Sequence, residues 1–195
     1  MPLLRFMSAF LVRYLIMVIT VFLLSGCPSP TVTPDLEDQT PPIVKMDAYG
    51  VPSDGTYTPP PYTDVDANCC DITRPVPLGT KIDLIASGND PESGMLQLNI
   101  SAFTLLTCRA TDPSSNEFYH DQRLVKLGET EDQTPGGQPT PTTLIAQGSI
   151  RLKDFEGFCR PGFRVEIYQA EILATAVNTT GRYSRTKKLE LINNP

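Results

Sequence analysis

The stretch LGTKIDLIASGNDPESGMLQLNI (residues 78–100) contains the pattern that decides the fold. Apolar residues occupy every second position in both of its halves: Ile82, Leu84 and Ala86, then Leu96, Leu98 and Ile100. A period of two is the pattern of a half-buried strand. Between the halves, Asn89–Gly94 combines Asn, Asp, Pro, Ser and Gly, the residues that favour turns. The stretch therefore predicts two strands joined by a turn.

The same alternation recurs toward the end of the chain, where Tyr168–Ala176 reads as a strand and Asn178–Gly181 as the turn after it. No segment after Cys27 shows a long apolar period of 3.6 residues, so we expect no sizeable helix there. Several short strands separated by turns predict an all-β sandwich. The seven predicted strands are A (43–48), B (78–87), C (95–105), D (123–127), E (144–153), F (165–177) and G (185–192).

Four segments resemble bacterial immunoglobulin-like repeats: Thr40–Val44, Leu78–Leu84, Asn89–Met95 and Ala174–Ser184. The family usually has aspartate where Asn178 stands and asparagine where Arg182 stands. The resemblance implies an immunoglobulin-like antiparallel β-sandwich and a cell-envelope context, and it implies no activity. In that strand order the A–B, C–D and E–F connections share one pole. The other three connections share the pole where strand A begins, and the A–B (49–77) and D–E (128–143) loops are long.

The N-terminal residues have the pattern of an export signal. Arg5 and Arg13 precede an apolar run of about 11 residues, whereas a membrane-spanning helix needs about 20. LLSGC (23–27) resembles the lipobox of bacterial lipoproteins, which implies cleavage after residue 26 and a diacylglyceryl thioether on Cys27. A plain secretory signal and an uncleaved anchor are the alternatives. Pro28 stands where an aspartate favours inner-membrane retention, so the outer membrane is favoured if the cell is Gram-negative.

We divide the chain into a signal peptide (1–26), a lipidated cysteine with a proline-rich tether (27–42) and an immunoglobulin-like domain (43–195). The tether is polar and proline-rich, and such segments bury too little apolar surface to fold by themselves. The whole chain has a formal charge of −6, and cleavage removes two arginines and no acidic residue. This acidic balance argues against nucleic acid as a partner. We expect the lipid on Cys27 to hold the protein at the membrane.

Four cysteines remain besides Cys27: Cys69, Cys70, Cys108 and Cys159. An even number in an exported domain predicts disulfide bonds, and the predicted strand order brings all four to the pole away from strand A's start. Of the three possible connectivities we favour those in which Cys69 and Cys70 each bond to one of the other two, since adjacent cysteines bridge only with a strained peptide. A redox or metal-binding thiol cluster is the alternative, but the chain has no C-x-x-C motif and a single histidine, His120.

Aromatic and arginine residues gather in the connections at that same pole. The binding candidates are Tyr62, Phe118, Tyr119, Phe158 and Arg160. Such residues on rigid loops are typical of binding hot spots, but a small local core beneath a long loop gives the same pattern. A binding role predicts that the Tyr119 and Arg160 side chains are exposed.

Other chemistry has weaker support. Asp64, Asp66 and Asn68 have the D-x-D-x-N spacing of a calcium loop, but the expected glycine and final glutamate are missing, so a solvated acidic turn is the simpler interpretation. A catalytic role for His120 lacks a G-x-S-x-G nucleophile motif. We expect no cofactor and no catalytic site.

The sequence therefore predicts a non-catalytic, lipid-anchored protein of the bacterial cell envelope that displays an immunoglobulin-like binding or structural module. Its expected partners are the membrane, through Cys27, and a protein or glycan of the envelope. An inhibitor or immunity-type lipoprotein that blocks an exported enzyme is the first alternative. An exported hydrolase built from loop carboxylates is the second.

Overall fold

The computed structural model describes residues 30–51, 65–66, 71–134 and 138–193. These residues form strands and connections, with one short 3₁₀ helix at Leu152–Phe158. The strands are β1 (Thr31–Val32), β2 (Ile43–Val51), β3 (Val65–Asp66), β4 (Ile72–Pro75), β5 (Lys81–Asn89), β6 (Met95–Ala110), β7 (Phe118–Glu131), β8 (Thr140–Pro141), β9 (Thr143–Arg151), β10 (Phe163–Asn178), β11 (Tyr183–Arg185) and β12 (Leu189–Asn193). In the described part of the chain, no helix has the length and apolar character needed to cross a bilayer.

The strands form two main sheets, which confirms the predicted all-β sandwich. One sheet has the order β3-β2-β5-β9, and the other has the order β4-β12-β10-β6-β7 with β11 paired to β10. Pairing is antiparallel except between β4 and β12. Predicted strands A to G correspond to β2, β5, β6, β7, β9, β10 and β12. Predicted strand D pairs with C, so it extends the sheet that contains C, F and G.

The core lies between the two sheets and follows from the alternation seen in the sequence. Every second side chain of β5, of β6 from Leu98 to Cys108 and of β10 from Tyr168 points inward and is almost fully buried, whereas Leu96 is exposed. The largest fully buried side chains include Met46, Ile82, Leu84, Leu98, Ile100, Leu106 and Ile172. Each stabilises the fold by about 1.5–3 kcal/mol relative to an exposed position.

Two glycines allow the sheets to meet along one edge. A Cβ on Gly128 of β7 would lie 2.2 Å from the carbonyl oxygen of Gln147, and one on Gly148 of β9 would lie 2.7 Å from that of Leu127. The two backbones therefore approach each other at a distance that a larger residue would prevent. Toward the other pole β7 and β9 diverge.

The observed strands extend beyond the predicted ones. β7 covers Phe118–Glu131, so Phe118, Tyr119 and His120 belong to a strand rather than to the predicted C–D loop, and the D–E connection is shorter than expected. The A–B stretch contributes β3 and β4. The ends of β7 were missed because one of its faces is solvated and carries charged residues, which weakens the apolar alternation.

The prediction that the proline-rich tether is free of the domain is wrong for residues 31–42. Residues 31–42 pack against the sandwich: β1 pairs with β8, the Asp35 amide donates to the Glu92 carbonyl (3.4 Å), and the Asp38 side chain is only 6% exposed. Hydrogen bonds hold this segment more than apolar burial does, which explains why its composition suggested an unfolded stretch. A backbone hydrogen bond from Thr40 lowers the pKa of Asp38.

Asn178 joins three segments at the pole where β2 begins, which we call the tether pole. Its side-chain nitrogen donates to the Asp90 carboxylate (3.0 Å) and to the Thr40 carbonyl (3.1 Å). Its side-chain oxygen accepts from the Arg182 amide (2.8 Å) and the Thr180 hydroxyl (2.9 Å). Asn178 is fully buried and Asp90 is 3% exposed. One side chain thus connects the B–C turn, the F–G turn and the segment before β2.

We expect Asn178→Ala to lower the free energy of unfolding by about 1–3 kcal/mol, because Oδ2 of the buried Asp90 carboxylate, the Thr40 carbonyl and the Arg182 amide lose their bonds to the Asn178 side chain. Urea unfolding followed by circular dichroism measures the change. Asn99→Ala, on the solvent side of β6, is the matched control and should have little effect. Equal destabilisation by the two substitutions would contradict the role of this network.

Candidate functional site

A disulfide bond fixes the pole opposite the tether pole, which we call the disulfide pole. Cys108, at the end of β6, is bonded to Cys159, which follows the 3₁₀ helix, with the two Cα atoms 5.8 Å apart. The pairing favoured from the sequence, in which Cys69 and Cys70 each reach one of these two, is therefore wrong, because each sulfur forms one such bond. Cys69 and Cys70 themselves lie outside the described residues.

The pairing follows from the strand register. β10 begins directly after the E–F connection, and Val165 lies opposite Cys108 in the β6–β10 ladder. The connection must therefore return across the end of β6, which brings Cys159 over Cys108. The sequence placed all the cysteines at one pole but contained no signal for which of them are neighbours.

Tyr119, Arg160 and Phe163 pack together beside this disulfide. The Arg160 amide donates to the Tyr119 hydroxyl (2.6 Å). The Tyr119 and Phe163 rings meet edge to face, with centroids 5.1 Å apart. The Arg160 guanidinium lies 4.6 Å from the Tyr119 ring centroid and 4.5 Å from that of Phe163. Arg160 is exposed and Tyr119 is half-buried. Tyr119 thus serves as a support, and Arg160 presents its charge at the surface.

Arg123 holds the neighbouring Phe158. Its guanidinium carbon lies 4.2 Å from the Phe158 ring centroid, its Nη2 donates to the Phe158 carbonyl (3.2 Å), and its Nε pairs with Asp121 (2.8 Å). The hydrogen bond to Asp121 raises the pKa of Arg123. Phe158 in turn packs on the buried Phe155, with centroids 5.3 Å apart. This group therefore belongs to a local core that secures the 3₁₀ helix.

The outward side of the sheet at this pole carries a row of exposed groups. Arg109 lies between Phe118 and Arg164 in the register of β7, β6 and β10. Phe118 is 58% exposed, and its ring meets that of His120 at 5.8 Å. An irregularity in the ladder at Glu166 accompanies an ion pair between Glu166 and Arg109 (2.7 Å).

We call Arg109, Phe118, His120 and Arg164 the arginine–aromatic surface; Arg160 lies on the other side of the same sheet, against Tyr119 and Phe163. The members of this surface come from the neighbouring strands β6, β7 and β10, so the sheet holds them in place. Arg160 and Arg164 form no ion pair with any described carboxylate. In an acidic chain, this surface is suited to an anionic or aromatic group of a partner.

Sequence reasoning missed Arg123 and Arg164. The pattern FYHDQRL (118–124) contained the signal for Arg123, because Tyr119, Asp121 and Arg123 share one face if the strand begins at Phe118. Arg164 could have been inferred only from the register of β10 against β6.

A small cleft opens where β7 and β9 diverge. Its volume is about 200 Å³, and its lining residues are Val125, Leu127, Ser149, Ile150, Arg151, Asp154 and Phe155. Small-molecule sites are typically about 300–1,000 Å³, so this space suits one apolar side chain rather than a substrate.

The remaining predicted candidates do not assemble into a site within the described residues. Tyr62, Asp64, Asn68 and Cys27 lie outside them, and Asp66 is described only as a residue of β3, opposite Lys45. The described His, Cys, Asp and Glu residues include no group of three that could hold a metal ion. His120 contacts the Thr107 hydroxyl (3.3 Å) and the Phe118 ring.

Comparison with known proteins adds no family. No protein-family model matches the chain, and no curated protein shows significant similarity to it.

We expect trypsin to separate the three cysteine-bearing segments, residues 46–81, 82–109 and 154–164, because each lies between cleavable lysines or arginines. Mass spectrometry without reductant should find segment 82–109 linked to segment 154–164. A link from segment 46–81 to either of them would contradict the Cys108–Cys159 bond.

The Cys108→Ser/Cys159→Ser double variant should lose about 2–4 kcal/mol of unfolding free energy.

Proposed function

We propose that the chain is a non-catalytic lipoprotein of the bacterial cell envelope, anchored through a lipid on Cys27 and displaying the β-sandwich as a binding module. The observation that carries the proposal is the juxtaposition of LLSGC with a disulfide-bonded β unit that begins at Thr31, four residues after Cys27. Disulfide bonds form in exported proteins, so the bond supports the export signal independently.

The arginine–aromatic surface is the proposed binding surface. It lies at the opposite end of the sandwich from β1, the first described strand. An outer-membrane location is part of the proposal for a Gram-negative cell, since Pro28 replaces the aspartate of inner-membrane lipoproteins. The proposed partner is an envelope protein or glycan with anionic groups.

The anchor is tested by labelling growing cells with radioactive palmitate. We expect label in the wild-type protein and none in Cys27→Ser, and globomycin should cause the unprocessed form to accumulate. Cys69→Ser, which keeps the lipobox, is the matched control and should be labelled normally. Equal labelling of wild type and Cys27→Ser, or no label in either, would refute the anchor.

The binding surface is tested by photo-crosslinking in cells with benzoylphenylalanine in place of Phe118. We expect a discrete adduct there, and none from the same group at Ile85, which is exposed on the other sheet. Arg164→Ala should reduce the adduct by about tenfold if this arginine forms a charged contact with the partner. Adducts of equal yield at both positions would contradict a specific surface. An adduct with one exported enzyme whose activity falls would instead favour the inhibitor alternative.

A further inference from the structure

The tether pole carries a basic segment, although the chain as a whole is acidic. Residues 182–188 (RYSRTKK) run from the end of the F–G turn through β11 to the residue before β12, and they contain four of the chain's sixteen cations and no acidic residue. Lys188 is paired with Glu171 (3.0 Å), but Arg182, Arg185 and Lys187 are exposed and form no ion pair with a described carboxylate.

An exposed tyrosine stands in the middle of these cations. Tyr183 is 61% exposed, and the Arg185 guanidinium lies 5.5 Å from its ring centroid. The backbone of β11 is held firmly, because Tyr183–Arg185 pairs with β10 and the Ser184 hydroxyl donates to the Pro42 carbonyl. Tyrosine with arginine and lysine is the combination that occupies the headgroup region of membranes.

The segment lies where the chain arrives from Cys27. Val32 lies against Gly94, whose φ is +79°. A Cβ added to Gly94 would lie 3.2 Å from the Val32 side chain. The carbonyl of Gly94 accepts the Thr179 amide (3.1 Å) in the turn that leads directly to Tyr183. A fully extended chain from Cys27 to Thr31 spans at most about 14 Å. An anchored Cys27 would therefore keep this pole at the bilayer surface.

We propose that Arg182, Tyr183, Arg185 and Lys187 form a docking surface for anionic phospholipid headgroups of the anchoring membrane. Cationic side chains near a bilayer gain from its negative surface potential, and a tyrosine ring adds interfacial contact. The acidic side chains of this pole belong to the segment before β2, the B–C turn and the end of β7, namely Asp35, Glu37, Asp38, Asp90, Glu92, Glu131 and Asp132, and none lies within residues 182–188. Docking therefore requires the sandwich to turn β11 toward the bilayer. The surface rests on the proposed lipid anchor for its position, and its contact chemistry is separately measurable.

The chain contains no tryptophan, so a single substitution supplies a unique fluorescent reporter. The full-length protein is purified as Tyr183→Trp and as Leu124→Trp, a control at an exposed position of β7 that belongs to neither proposed surface. Each is mixed with vesicles of phosphatidylethanolamine and phosphatidylglycerol that carry brominated acyl chains. We expect Trp emission of the first variant to shift to shorter wavelength and lose most of its intensity, and that of the second to change little.

Replacing the three cations in Arg182→Gln/Arg185→Gln/Lys187→Gln, with the Tyr183→Trp reporter, should remove the difference between anionic vesicles and vesicles of phosphatidylcholine alone. Equal quenching at positions 183 and 124, no quenching at 183, or quenching at 183 that does not depend on lipid charge would each overturn the docking surface. If Cys27 carries no lipid, the palmitate labelling described above fails, whereas Trp quenching at position 183 tests the docking surface. The two proposals can therefore be refuted independently.

Discussion

The pairing of β6 with β10 is the interaction on which the rest of the structure depends. Each strand has 16 residues, and the ladder runs from Ala110 opposite Phe163 to Met95 opposite Asn178, about 50 Å. At one end the Asn178 network joins the turns to the segment before β2, and at the other the Cys108–Cys159 bond closes the E–F connection. Both poles are therefore fixed to the same two strands.

Most of the fold could be predicted from the sequence because its central strands bury one face only. Ile82, Leu84 and Ala86 alternate with polar residues, and this pattern determines both the strand and its inner face. Edge strands leave a weaker signal: β7 has a solvated face and an incompletely covered inner face, so its first five residues looked like a loop. The short β1 could not be predicted, since two backbone pairs with β8 need no apolar pattern.

The candidate site was predicted less well, and for a different reason. Composition showed that arginines and aromatics gather at one pole, but their roles depend on contacts between distant segments. Tyr119 and Arg160 were equivalent candidates in the sequence, whereas the structure makes one the support of the other. The cysteines show the same limit, because the common pole of Cys108 and Cys159 was predicted correctly and their pairing incorrectly. Spacing along the chain carries no information on which members of a cluster touch.

Charge is distributed so that the two poles differ from the faces between them. On the strand faces, cations are neutralised locally, as in Lys81–Asp83, Lys126–Glu129 and Lys188–Glu171. Exposed arginines without such partners occur at both ends, in the arginine–aromatic surface and in residues 182–188. The Debye length at physiological salt is about 8 Å, far less than the length of β6, so each pole acts electrostatically as a separate surface. Under the two proposals, local positive charge at each pole would let a net acidic chain bind an anionic membrane at one end and an anionic partner at the other.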